Sequence, residues 1–142
     1  MTAPLSSPPF PEQLPESHSP VGIHLTLECG GCLPSLLMEK DALASALHES
    51  AEQAGARVVE TLIHRFNPHG LSGVVVIAES HLAVHTWPEH GYASVDIYTC
   101  GDAHLAHRIA DLILEKFKPE RVTRQAFRRH PPLKMEKETS LK

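Results

Sequence analysis

Between Val74 and Gly101 the chain alternates apolar and polar positions in two successive runs, with Leu82 and Val84 in the first and Ala93, Val95 and Ile97 in the second. Period-two patterning of this kind predicts half-buried strands. The apolar run Val74–Ile77 precedes them as a further strand, and Trp87–Pro88–Glu89–His90–Gly91 separates them as a turn. Upstream, Gly22–Cys29 alternates as a strand. Residues 39–54 then place Leu43, Ala46, Leu47, Ser50, Ala51 and Ala54 at helical spacing, with Gly55 as a stop. Arg57–Phe66 is β-branched and apolar, so it reads as a strand, and Asn67–Pro68–His69–Gly70 follows as a turn. Leu105, Ile109, Leu112, Ile113 and Phe117 share one face of a second helix over 103–117, and Arg121–Phe127 reads as a last strand. The order β-α-β-β-β-α-β predicts an α/β (α+β) two-layer sandwich: a mainly antiparallel sheet with helices on one face. The uncovered face of such a sheet needs a partner, so a homodimer formed through the sheets is expected.

Residues 1–20 differ in composition, with Pro4, Pro8, Pro9, Pro11, Pro15 and Pro20 among Ser and Glu. Proline at this density opposes helix and sheet alike, which predicts a disordered lead. The folded domain is expected over 21–130 and a polar tail over 131–142. At 142 residues there is room for one domain with a real core. A formal charge of −4 argues against nucleic acid as a partner. The basic cluster Arg121, Arg124, Arg128 and Arg129 reads as a solvated edge in a polar tail region. No apolar run approaches the ~20 residues of a membrane span, and no signal peptide opens the chain, so a cytoplasmic protein with no membrane partner is expected.

The 74–101 unit also carries chemistry. If its strands fold as a meander, Ser80, His85 and Cys100 come within reach of one another beside Glu79, which is an inventory of nucleophile and base. Strict alternation sets His85 on the opposite face from Ser80, so a bulge or short turn is expected to aim its ring inward. Cys29–Gly30–Gly31–Cys32 has redox or half-zinc spacing. A structural zinc site wants four ligands and usually a second pair, which is missing, so this pair reads as incidental and no metal is expected.

The block HRFNPHGLSGVVVIAESHLAVHTWPEHGYASVDIYTCG, residues 64–101, is similar to the S-adenosylmethionine decarboxylase proenzymes of bacteria and archaea. Weaker similarity runs back to Gly22–Ile23–His24 and forward over the second helix. The resemblance implies self-cleavage between Glu79 and Ser80. The serine hydroxyl attacks the preceding carbonyl, an ester replaces the amide, and β-elimination followed by hydrolysis leaves a pyruvoyl cofactor in place of Ser80. It further implies that His85 aids processing with Ser72 in support, that the pyruvoyl group takes the substrate amine as a Schiff base, and that Cys100 donates the proton. Phe66, His85 and Trp87 are the implied substrate-binding residues, and Glu28 and Glu89 are candidates for the substrate's positive charge or ribose. The implied activity converts S-adenosylmethionine to its decarboxylated form plus carbon dioxide, for spermidine synthesis. Ornithine or arginine as substrate is the alternative within the same chemistry. A non-catalytic regulatory subunit or a CxxC metal or redox module is the alternative from another class. The chain departs from the family pattern at Ala78, where many relatives carry serine, and after Gly101, where it reads DAHLAH and lacks a frequent proline.

Overall fold

Alternation along the sequence becomes alternation of burial in the computed structural model, which describes residues 22–132. The expectations for the lead at 1–20 and for most of the tail at 131–142 lie outside the described residues. The elements are β1 (Gly22–Gly30), α1 (Pro34–Met38), α2 (Lys40–Gln53), β2 (Val58–Arg65), β3 (Leu71–Ile77), β4 (Ser80–Trp87), a 3-10 turn (Pro88–His90), β5 (Tyr92–Cys100), α3 (Ala103–Phe117) and β6 (Arg121–Arg129). One antiparallel sheet has the order β2-β3-β4-β5-β1-β6. Among the described residues, helices cover one face only. In β5, Ala93, Val95, Ile97 and Thr99 are buried under them, while Tyr92, Ser94, Asp96 and Tyr98 stand half-exposed on the other side. The structure thus bears out the two-layer α+β architecture.

Two helices complete the core. α3 buries Ala106, Ile109, Ala110, Ile113 and Phe117 against β1 and β5. Its first turn is capped by Asp102, whose side chain accepts from the Leu105 amide at 3.1 Å. α2 buries Leu43, Ala46, Leu47 and Ala51 and packs on β2 and β3. Its buried Ser50 hydroxyl donates back to the Ala46 carbonyl at 2.7 Å, so the polar group is satisfied without leaving the helix.

The pattern did not announce α1. Its five residues are too few for a visible period, and Pro34 at its start suits a first turn. Thr86, buried in β4, donates to the Leu37 carbonyl and accepts from the Leu71 amide, both at 2.9 Å, which seats α1 on the sheet. The basic cluster needs a correction. Arg121, Arg124, Arg128 and Arg129 belong to an edge strand that runs on to Arg129, not to a tail. Arg124 donates to Asp111 at 2.7 Å and lies 2.7 Å from His107 Nδ1, so it fastens β6 to α3. Among the described residues, no helix is long and apolar enough to cross a membrane.

Candidate functional site

The register assigns every candidate side chain to a row across the sheet. His64, Ser72, His85, Ser94 and Glu28 are successive partners across β2, β3, β4, β5 and β1, and all lie on the open face. Ser72 Oγ and His85 Nδ1 are hydrogen-bonded at 2.7 Å. Glu28 takes one hydroxyl on each carboxylate oxygen, from Tyr92 and from Ser94. Its hydrogen bond raises the pKa of the Tyr92 hydroxyl, because ionising the phenol would set two negative oxygens together.

Aromatic groups border this row. Trp87 stacks on Tyr92 with centroids 4.8 Å apart, and Phe66 meets His64 edge-on at 4.7 Å. Phe66 also lines a cavity of about 380 Å³ with Met38, Arg65 and His69. His69 in turn contacts Glu89, tying the β2–β3 turn to the turn that follows β4.

Ser80 and Cys100 lie at the opposite end. β3 and β4 are joined by Ala78 and Glu79 alone, with Ile77 paired to Ser80. Glu79 has φ +65°, a left-handed conformation rare for a residue with a side chain. The peptide joining Glu79 to Ser80 therefore follows directly on a strained residue. In β5 the neighbour of Ser80 is the end of the strand, since His81 pairs with Tyr98, and Cys100 is exposed there on the open face.

The expected meeting of Ser80, His85 and Cys100 within one chain does not occur. Five residue steps along unbroken β4 separate Ser80 from His85, about 17 Å at strand rise. No bulge turns His85 inward, because the β3–β4 register is continuous from Ser72–His85 to Ile77–Ser80. Adjacency in sequence had suggested proximity, but a strand is extended and carries its two ends apart.

Ser94 and Tyr92 were not singled out from the sequence, and His64 reads there as a structural residue that ends a strand. The signal was present in β5: Tyr92, Ser94, Asp96, Tyr98 and Cys100 occupy every second position and must share a face. Cys29 and Cys32 are buried away from the open face, and no cluster of three metal-ligating side chains occurs among the described residues.

Comparison with known proteins bears on the family and the fold. The sequence profile of the S-adenosylmethionine decarboxylase family matches residues 23–130. A proenzyme of that name from Thermodesulfovibrio yellowstonii is 44% identical over 98 residues, covering 69% of this chain and 73% of the relative. One from Acetivibrio thermocellus is 43% identical over 109 residues, covering 77% and 88%. In three dimensions the chain is similar to the crystal structure of adenosylmethionine decarboxylase from Aquifex aeolicus, with a TM-score of 0.75 and 31% identity over 83% of this chain and 98% of that one. The matched span runs from the first strand through the Glu79–Ser80 turn to the end of the last, and on that ground the chain belongs to the S-adenosylmethionine decarboxylase family.

Proposed function

We infer that this protein is a self-cleaving, pyruvoyl-dependent S-adenosylmethionine decarboxylase whose site is completed by a second copy of the chain. The observation that carries the reading is the left-handed Glu79 set directly before Ser80 in a two-residue turn. A hydroxyl one residue past a strained peptide is placed to attack the carbonyl behind it, and rearrangement relieves the strain. Ser80 thus fits as the precursor of the pyruvoyl group. Such a group, once formed, supplies the carbonyl that draws electrons away as carbon dioxide leaves.

The remaining roles belong to side chains of this chain. Cys100 lies at the same end of the sheet as Ser80, exposed on the open face, and serves as the acid that returns a proton to the substrate's α-carbon. The hydrogen-bonded Ser72 and His85 move protons during processing. Phe66 and Trp87, exposed beside them, offer flat faces to adenine and to the sulfonium, a cation–π attraction of about 1–2 kcal/mol in a desolvated cleft.

The Ser72–His85 pair and Cys100 stand at opposite ends of the open face, which is why a second copy is required. The Glu79–Ser80 turn lies at the Cys100 end, with the Ser80 side chain alternating to the helix side of β4. A two-fold axis lying between the sheet faces and running across the strands sets each end against the other end of its partner. Ser72, His85, Phe66 and Trp87 of one protomer then meet the end of the other that carries Cys100 and the Glu79–Ser80 turn, twice over. The open face suits such contact: Leu62 is 69% exposed, Phe127 50%, Val74 42% and Val76 41%. Apolar groups left in water on this scale favour a covered face.

Intact mass measurement of fresh protein tests the processing. Two pieces of 79 and 63 residues are expected, since cleavage follows Glu79 in a chain of 142, with the second blocked at its new terminus. A single unbroken chain after prolonged incubation refutes the reading. Labelled carbon dioxide release from S-adenosylmethionine tests the substrate; release from ornithine or arginine instead replaces it.

A further inference from the structure

Cys29 and Cys32 take no part in the site described above, yet the fold brings them together. Cys29 is fully buried on β1 between Ala93 and Val122, and Cys32 is 4% exposed. Between them Gly31 takes φ +68°, where a side chain would run into Glu120, and the chain doubles back. The Cys32 thiol donates to the Cys29 carbonyl at 3.5 Å, which sets the two buried cysteines side by side.

Three backbone bonds from separate elements hold this turn. The Glu120 amide donates to the Gly30 carbonyl at 2.9 Å, the Cys32 amide to Gly91 at 2.9 Å and the Leu33 amide to Phe117 at 3.4 Å. The turn that carries both cysteines is therefore held by Gly91 before β5, by Phe117 of α3 and by Glu120 before β6. A disulfide needs the two sulfurs at about 2 Å, and the Gly-Gly link gives the backbone freedom to bring them together.

We propose that Cys29 and Cys32 are a redox pair that closes reversibly to a disulfide, with a small peroxide as oxidant, and so reshapes the turn behind the substrate wall. The hydrogen bond from Cys29 lowers the Cys32 thiol below its ordinary range, while that contact and burial raise Cys29. Cys32, also the less covered of the two, is the nucleophile. Its sulfur attacks a peroxide oxygen and becomes a sulfenic acid as the oxygen–oxygen bond breaks and water leaves. Cys29 then displaces the sulfenic oxygen as a second water, giving the sulfur–sulfur bond. Two thiols are oxidised and one peroxide is reduced to two waters. An external dithiol reverses the change by exchange.

The link to the site runs through one bond. Gly91, which accepts from the Cys32 amide, caps the Pro88–His90 turn at φ +60° and precedes Tyr92. Drawing Cys32 toward Cys29 pulls on this anchor and shifts the Trp87–Tyr92 stack. That consequence rests on the function proposed above; the disulfide itself does not.

The test treats the wild-type protein, as purified, with hydrogen peroxide, blocks free thiols after denaturation and maps peptides by mass. The segment holding both cysteines should be lighter by two hydrogens, resist alkylation and revert with dithiothreitol. The KM for S-adenosylmethionine should rise several-fold in the oxidised wild type. It should not rise in oxidised Cys29→Ser or, where that variant folds poorly, in Cys32→Ala; because Cys100 remains in each, its own oxidation affects all arms alike. Free thiols or sulfinic acids at both positions overturn the proposal, and so does a disulfide that leaves KM unmoved. Because the mass readout needs no turnover, its failure is distinct from failure of the decarboxylase reading.

Discussion

Glu79 holds its backbone where a Cβ crowds the following carbonyl, a cost of roughly 1–2 kcal/mol. If that strain is released as the Ser80 hydroxyl attacks, removing it should slow the cut. Glu79→Gly is comfortable at positive φ, whereas Glu79→Ala keeps the strain and loses only the carboxylate. The glycine variant should therefore be cut about three- to tenfold more slowly than the alanine variant, followed as decay of full-length chain after cell-free synthesis. Equal rates would show that the strain is not used. Ser80→Ala lacks the attacking oxygen and should remain one uncut, inactive chain on a denaturing gel. Cys100→Ala should still be cut but lose turnover by about 10²–10⁴, the usual worth of a general acid, and normal turnover there would remove the thiol from the chemistry.

At the scale of single elements, α3 offers two measurements. Losing the Asp102 side chain frees the Leu105 amide, so Asp102→Ala should cost about 1 kcal/mol in a denaturant titration of the uncut Ser80→Ala background. His107, on the same helix, has its pKa lowered from 6.5 by burial and by the Arg124 guanidinium. The folded state thus resists the proton that the unfolded chain accepts. Stability is fully present above pH 6.5 and is lost as pH falls through the lower folded value. His107→Gln should flatten that part of the acid slope; an unchanged slope assigns it to other groups. The elements themselves were largely legible in the sequence. Leu82 and Val84 in β4, and Ala93, Val95 and Ile97 in β5, point where their alternation says they must. α1 escaped because five residues held by Thr86 depend on a partner 49 positions away, which no local period records.

For the molecule as a whole, what the sequence concealed was separation. Ser80, His85 and Cys100 lie within 21 consecutive positions, yet the sheet places the imidazole far from the other two. Only pairing register reveals this, and register is set by contacts between strands rather than by pattern within one. A composite site makes a direct prediction. Ser80→Ala and His85→Ala chains each lack one half of every site as homodimers. Co-expressed with different tags, the mixed dimer has one complete site and should recover up to about half of wild-type activity. No recovery in purified mixed dimers would mean that each chain works alone.

The strand order has a last consequence for a protein severed between β3 and β4. The leading piece supplies β1, β2 and β3, the trailing piece β4, β5 and β6, and in the sheet they run β2-β3-β4-β5-β1-β6. β1 is thereby woven between two strands of the other fragment, and three seams join the halves: β3 to β4, β5 to β1 and β1 to β6. Neither fragment can drift off without unravelling the fabric of the sheet. The severed halves should travel as one particle until a denaturant unpicks them.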